Sequence, residues 1–149
     1  MVGPDQDPIR RAITEEFFRI VDEKSDEYEL FISPVAIEEL QAGVEKYGED
    51  SVLFINSLEC TELPENDKAE NLVSVYTTDG VLSRAHLNDL RHIAYAVVFE
   101  CDYVITWNMK HLANERTVSR VNVVNQCGGY EKIFISTPDF FTGGKIHGQ

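Results

Sequence analysis

The stretch that decides the fold is Asp89–Asn114, DLRHIAYAVVFECDYVITWNMKHLAN. It reads as a helix, a tight turn and a buried strand, and an acid opens the helix at Asp89. The spacing predicts a helix from about Arg84 to Phe99, a tight turn, and a buried strand Tyr103–Trp107. Asn108 then leaves the end of that strand. Open α/β sheets carry their chemistry at the carboxyl ends of strands, so the order of these residues matters.

Outward from this unit, helices and strands alternate. Asp7 and Pro8 read as a cap and first helical residue, with Ile9, Ile13, Phe17, Ile20 and Val21 carrying a helix to about Lys24. A polar turn at Asp26–Glu27 precedes a short strand, Tyr28–Ile32. Ser33–Pro34 opens a second helix to about Lys46, with Ile37, Leu40 and Val44 on one face, ended at Gly48. A short helix is expected at Val52–Leu58, and a brief strand or irregular link at Glu59–Leu63. Asn66 starts another helix, stopped near Asp79–Gly80. A last helix, Asn114–Gln126, ends at Gly128–Gly129 and leads to a strand, Lys132–Ser136. Residues 1–6 and 142–149 read as flexible ends of one domain covering 1–149. This alternation predicts a parallel sheet flanked by helices.

Composition fits that reading. The 149 residues suffice for one core, and 43% hydrophobic and 26% charged residues are ordinary for a globular chain. No apolar run is long enough for a membrane span, and no signal-peptide pattern opens the chain. Cys60, Cys101 and Cys127 are odd in number and widely spaced, which fits reduced thiols in a cytoplasmic protein. A net charge of −13 argues against general coating of nucleic acid. The charge is uneven: residues 1–102 hold 23 acids and 8 bases, and residues 103–149 hold 3 acids and 5 bases.

The chemistry-bearing candidates follow from topology. Helices that connect parallel strands run against them, so helix starts gather at the strands' carboxyl edge. Glu38 and Glu39 lie in the second turn of a helix that follows a strand, and Asp89 lies early in a helix that precedes one. Carboxylates there suit Mg²⁺, a hard ion that needs one or two of them and keeps several waters. Helical geometry does not choose between Glu38 and Glu39. Each acid also has a structural reading, since a carboxylate near a helix start is stabilised by the helix dipole, and Asn108 also reads as a turn residue. His92, three residues beyond Asp89, reads as a packed or Asp-bonded histidine before it reads as a ligand, and His86 as a solvated helix-start residue. Lys110, His111, Arg116 and Arg120 form the one basic cluster. No phosphate-cradling glycine loop or zinc spacing is present.

These residues carry a resemblance to a known family. ELFISPVAIEEL at Glu29–Leu40, NDLRHIAYAVVFECDYVITWNMKHLAN at Asn88–Asn114 and GYEKIFISTPDFF at Gly129–Phe141 together resemble PIN-domain proteins of the VapC-like toxin type. The resemblance implies a three-layer α/β domain that uses clustered acids and Mg²⁺ or Mn²⁺ to hydrolyse RNA, silenced in many members by an antitoxin protein. It places Glu39 and Asp89 as metal-holding catalytic acids and Asn108 as a third catalytic position, where many members have aspartate. Asp102, just before the strand, is a minor candidate. Lys110, Arg116 and Arg120 become the expected RNA-binding residues. The family's first strand, with its own acid, has no counterpart before the first helix here, and neither Asp5 nor Asp7 fills that role. The expectation is a domain short of that strand, with exposed edges that favour a homo-oligomer. Two functions follow: a Mg²⁺-dependent ribonuclease toxin, or a catalytically silent PIN-like interaction module. A doubly wound domain binding a phosphorylated ligand is a third reading, and the glycine-rich turns it requires are missing.

Overall fold

The computed structural model describes residues 8–47, 60–82, 86–106, 112 and 114–142. The fold is mixed α/β, and its strands pair in parallel. The chain divides into two compact units, one of Met1–Glu62 with Pro138–Gln149 and the other of Leu63–Thr137.

In the first unit, α1 (Pro8–Glu23) buries Ile13, Phe17 and Ile20. Ile9, expected on the same stripe, is 60% exposed. On the outer face the Arg19 guanidinium is bonded to both Glu16 and Glu23, which pushes its pKa up. Strand β1 (Phe31–Ile32) is shorter than the Tyr28–Ile32 expectation. The reason is local: Glu27 N–H and Tyr28 N–H both donate to Lys24 O, at 2.8 and 3.0 Å, so the turn after α1 absorbs Tyr28. Helix α2 (Pro34–Tyr47) is capped by Ser33, whose Oγ accepts from Ala36 N–H at 3.1 Å. Strand β2 (Thr61–Glu62) pairs in parallel with β1, in register Phe31 with Thr61 and Ile32 with Glu62. The proposed cap Asp7 and the expected helix Val52–Leu58 lie outside the described residues.

The second unit opens with α3 (Asp67–Thr78), capped by Asn66, whose side chain accepts from Ala69 N–H at 3.2 Å. Gly80, at φ +72°, supplies the left-handed residue that closes it. Helix α4 (Leu87–Val98) carries the densest core, with Leu90, Ile93, Ala94 and Tyr95 fully buried. Burial of each large apolar side chain stabilises by about 1.5–3 kcal/mol. Glu100 turns the chain at φ +61°, while Cys101 N–H donates to Ala96 O at 2.8 Å, and strand β3 (Tyr103–Ile105) runs back along the helix. Helix α5 (Glu115–Cys127) is capped by Asn114, which accepts from Thr117 N–H at 2.9 Å. It crosses over to strand β4 (Phe134–Ser136), parallel to β3 with Tyr103 opposite Phe134.

Both strands are shorter than the Tyr103–Trp107 and Lys132–Ser136 expectations. Trp107 lies outside the described residues. At Ile133 the backbone is taken by the side chain of Asn122, not by a strand. Thr142, expected to begin a flexible tail, is 1% exposed and ends a short helix in the first unit, α6 (Asp139–Thr142). Phe141 anchors that helix, its ring 5.5 Å from Phe17 and 5.8 Å from Tyr28 in edge-on geometry. No helix among the described residues is long and apolar enough to cross a membrane.

Candidate functional site

In the second unit, the topology directs two helix starts toward the carboxyl edge of the sheet, and a hydrogen bond ties a third helix end to one of them. The reversal at Glu100 lays β3 back along α4, so the start of α4 lies at the end of β3. Helix α5 joins two parallel strands and runs against them, which brings its start to the same edge. The third is the end of α3: Arg120, in the second turn of α5, donates to Gly80 O at 2.9 Å.

Asp89 lies in the first turn of α4, on this edge. Its side chain is 24% exposed, and its Oδ2 is 3.6 Å from Nδ1 of His86, the residue that precedes the helix. His86 makes no side-chain cap bond to the helix. The sequence reading assigned it to solvent and missed this pairing, although the His-x-x-Asp spacing is the signal that could have found it. His92 is half-buried.

The remaining candidates lie on other elements. Glu39 and Glu38 are exposed in α2, in the first unit, so backbone placement again does not choose between them. Arg116 is exposed in the first turn of α5. Arg120 is exposed too, with part of its guanidinium engaged on Gly80. Asp102 is exposed at the amino end of β3, away from the edge that holds Asp89. Asn108, Lys110 and His111 lie outside the described residues. Among the described residues, no three His, Cys, Asp or Glu side chains gather closely enough to hold a metal.

A second polar group, which the sequence reading did not anticipate, joins α3 to α4. The buried Tyr95 hydroxyl donates to Glu70 Oε2 at 2.8 Å and accepts from Asn66 N–H at 3.1 Å. Arg91 completes it, with Nε 3.3 Å from Glu70 Oε1 and Nη1 donating to Asn88 at 3.4 Å. Burial, foremost, raises the Tyr95 pKa; the Asn66 N–H opposes this and the Glu70 carboxylate adds to it. All four partners belong to α3, α4 or the α3 cap, so the group sets how those helices pack.

Cys60, Cys101 and Cys127 make no disulfide. Cys60 is half-buried, and its thiol pKa is raised by burial and then by Glu62. Comparison with known proteins finds no matching family model, no matching curated protein and no matching solved structure.

Proposed function

We propose that the chain is a PIN-like, metal-dependent ribonuclease, a three-layer domain with its parallel sheet between helices. The observation that supports this reading best is the placement of Asp89, a partly exposed carboxylate in the first turn of α4 at the carboxyl edge of β3 and β4. The resemblance names Asp89 and Glu39 as the acids that would hold Mg²⁺ or Mn²⁺. A partly exposed carboxylate suits such an ion, which keeps several waters beside one or two protein oxygens. Bound there, the ion would supply an activated water and offset phosphoryl charge.

The chain's own residues would do the rest. The turn at Glu100 and the buried face of α4 fix where Asp89 stands. Asn108 would contribute a neutral oxygen that orients water. Lys110, Arg116 and Arg120 would neutralise RNA phosphates, Arg120 with the part of its guanidinium that Gly80 leaves in solvent. A toxin role, a partner antitoxin, self-association and a cytoplasmic setting belong to the same proposal and rest on the resemblance. The test is cleavage of single-stranded and structured RNA with Mg²⁺ or Mn²⁺. Asp89→Asn and Glu39→Gln should each lower the rate about a hundredfold, the scale of removing one electrostatic contact from a transition state. Cleavage that both variants leave unchanged places the site elsewhere.

One contact favours a second reading, the silent interaction module. His86 close to Asp89 gives the carboxylate a structural role at the helix start, which the dipole also favours. Such a module would neither cleave RNA nor take up Mn²⁺ in a way that depends on Asp89.

A further inference from the structure

The turn after α1 leaves a cleft in the first unit. Lys24 O receives the Glu27 and Tyr28 N–H groups, and Thr61 N–H donates to Leu30 O at 2.8 Å. The chain from Tyr28 to Leu30 is thereby tied to the end of α1 on one side and to β2 on the other. Between these elements lies a space of about 450 Å³. That volume falls within the roughly 300–1,000 Å³ of small-molecule sites. Phe18 and Val21 from α1 and Tyr28 and Leu30 from the turn give it an apolar lining, and all four are half-buried. The Tyr28 ring is braced by Phe141, 5.8 Å away.

The charged lining has one sign. Asp22 and Glu29 border the cleft, both exposed, and neither forms an ion pair among the described residues. Glu23, beside Asp22, is instead bonded to Arg19. Val21 and Asp22 belong to the last turn of α1, which holds no basic residue, so the negative end of the helix dipole adds to the carboxylates. Lys24, the nearest cation in sequence, does not line the cleft. The 23 acids and 8 bases of residues 1–102 give this part of the chain a field that draws cations.

We propose that this cleft binds a small organic ammonium, its apolar body against Phe18, Val21 and Leu30 and its charged nitrogen at Asp22 and Glu29. Aromatic rings attract a cation and shed water from its apolar body, while carboxylates accept its N–H groups. A bare metal ion gains nothing from the apolar lining, and a neutral analogue gains nothing from the carboxylates. The proposal is independent of the nuclease reading, since it uses neither Asp89 nor Glu39.

The probe is phenethylamine, titrated into the full chain and followed by amide NMR, with phenethyl alcohol as its uncharged counterpart. Saturable shifts centred on Tyr28, Leu30 and Thr61 are expected. Cys60 also lines the cleft, so bound amine should slow its alkylation and leave that of the exposed Cys127 unchanged. The alcohol should bind about tenfold more weakly, the scale of a cation–π contact together with an exposed ion pair. Asp22→Asn and Glu29→Gln, both at exposed positions, should each weaken the amine by roughly two- to fivefold and leave the alcohol unaffected. No saturable shift up to tens of millimolar amine overturns the proposal, as does equal binding of amine and alcohol or a response centred elsewhere. Tighter binding of a blocked glycine–lysine–glycine peptide would overturn it too, by assigning the cleft to a lysine of a partner protein.

Discussion

Asn122 holds Ile133 by both its backbone N–H and its carbonyl, at 2.8 and 2.9 Å, and also donates to Val118 O at 3.1 Å. One side chain on α5 thereby sets where β4 begins. Asn122→Ala would leave two peptide groups of a residue that is 1% exposed without partners. The expected cost is about 2–4 kcal/mol, read as a lower urea midpoint. Asn122→Asp should cost a similar amount, because a carboxylate would face the Ile133 carbonyl. A midpoint unchanged in both variants would mean that β4 is held by other contacts.

The Tyr76 hydroxyl donates to Asn125 Oδ1 at 2.6 Å, across 49 residues of sequence, with both side chains fully buried. Burial, foremost, raises the Tyr76 pKa well above the ordinary tyrosine value. The folded state therefore keeps a proton that the unfolded state releases above about pH 10. Stability is full below that pH and falls as pH rises beyond it. Tyr95, raised in the same direction, adds to the slope. Urea midpoints between about pH 9 and 11.5 should fall with pH, and Tyr76→Phe should flatten the decline while costing about 1–2 kcal/mol at neutral pH.

Glu100 occupies left-handed backbone at φ +61°, a conformation that costs an ordinary L residue about 1–2 kcal/mol. It is exposed. Glycine removes that strain but loses roughly 0.4–1 kcal/mol to the greater freedom of the unfolded chain. Glu100→Gly should therefore stabilise by roughly 0.5–1 kcal/mol, seen as a higher melting temperature. Gly129→Ala, at φ +79°, should do the opposite.

Much of this architecture was legible because it is local. Ser33, Asn66 and Asn114 were each read as helix starts, and each accepts a bond from the N–H three residues on. The α4–β3 unit was legible because its helix, turn and apolar strand adjoin in the sequence. Long-range chemistry was not. Tyr76 and Tyr95 look like ordinary residues of a stripe, and their partners lie 49 and 25 residues away. Strand lengths were overestimated for the same reason, since nothing near Ile133 announces that Asn122 will occupy it. At the candidate site, the helix-start position of Asp89 was readable. Its pairing with His86 was open to the same spacing argument, and the choice between Glu38 and Glu39 was not, because both are exposed on one helix.

Whether Asp89 holds a divalent ion would be decided by a Mn²⁺ titration followed by electron paramagnetic resonance. Saturable uptake by the full chain is expected, weakened about tenfold or more by Asp89→Asn while circular dichroism stays unchanged. Superimposable curves for the two proteins, or no uptake by the wild-type chain, would contradict it.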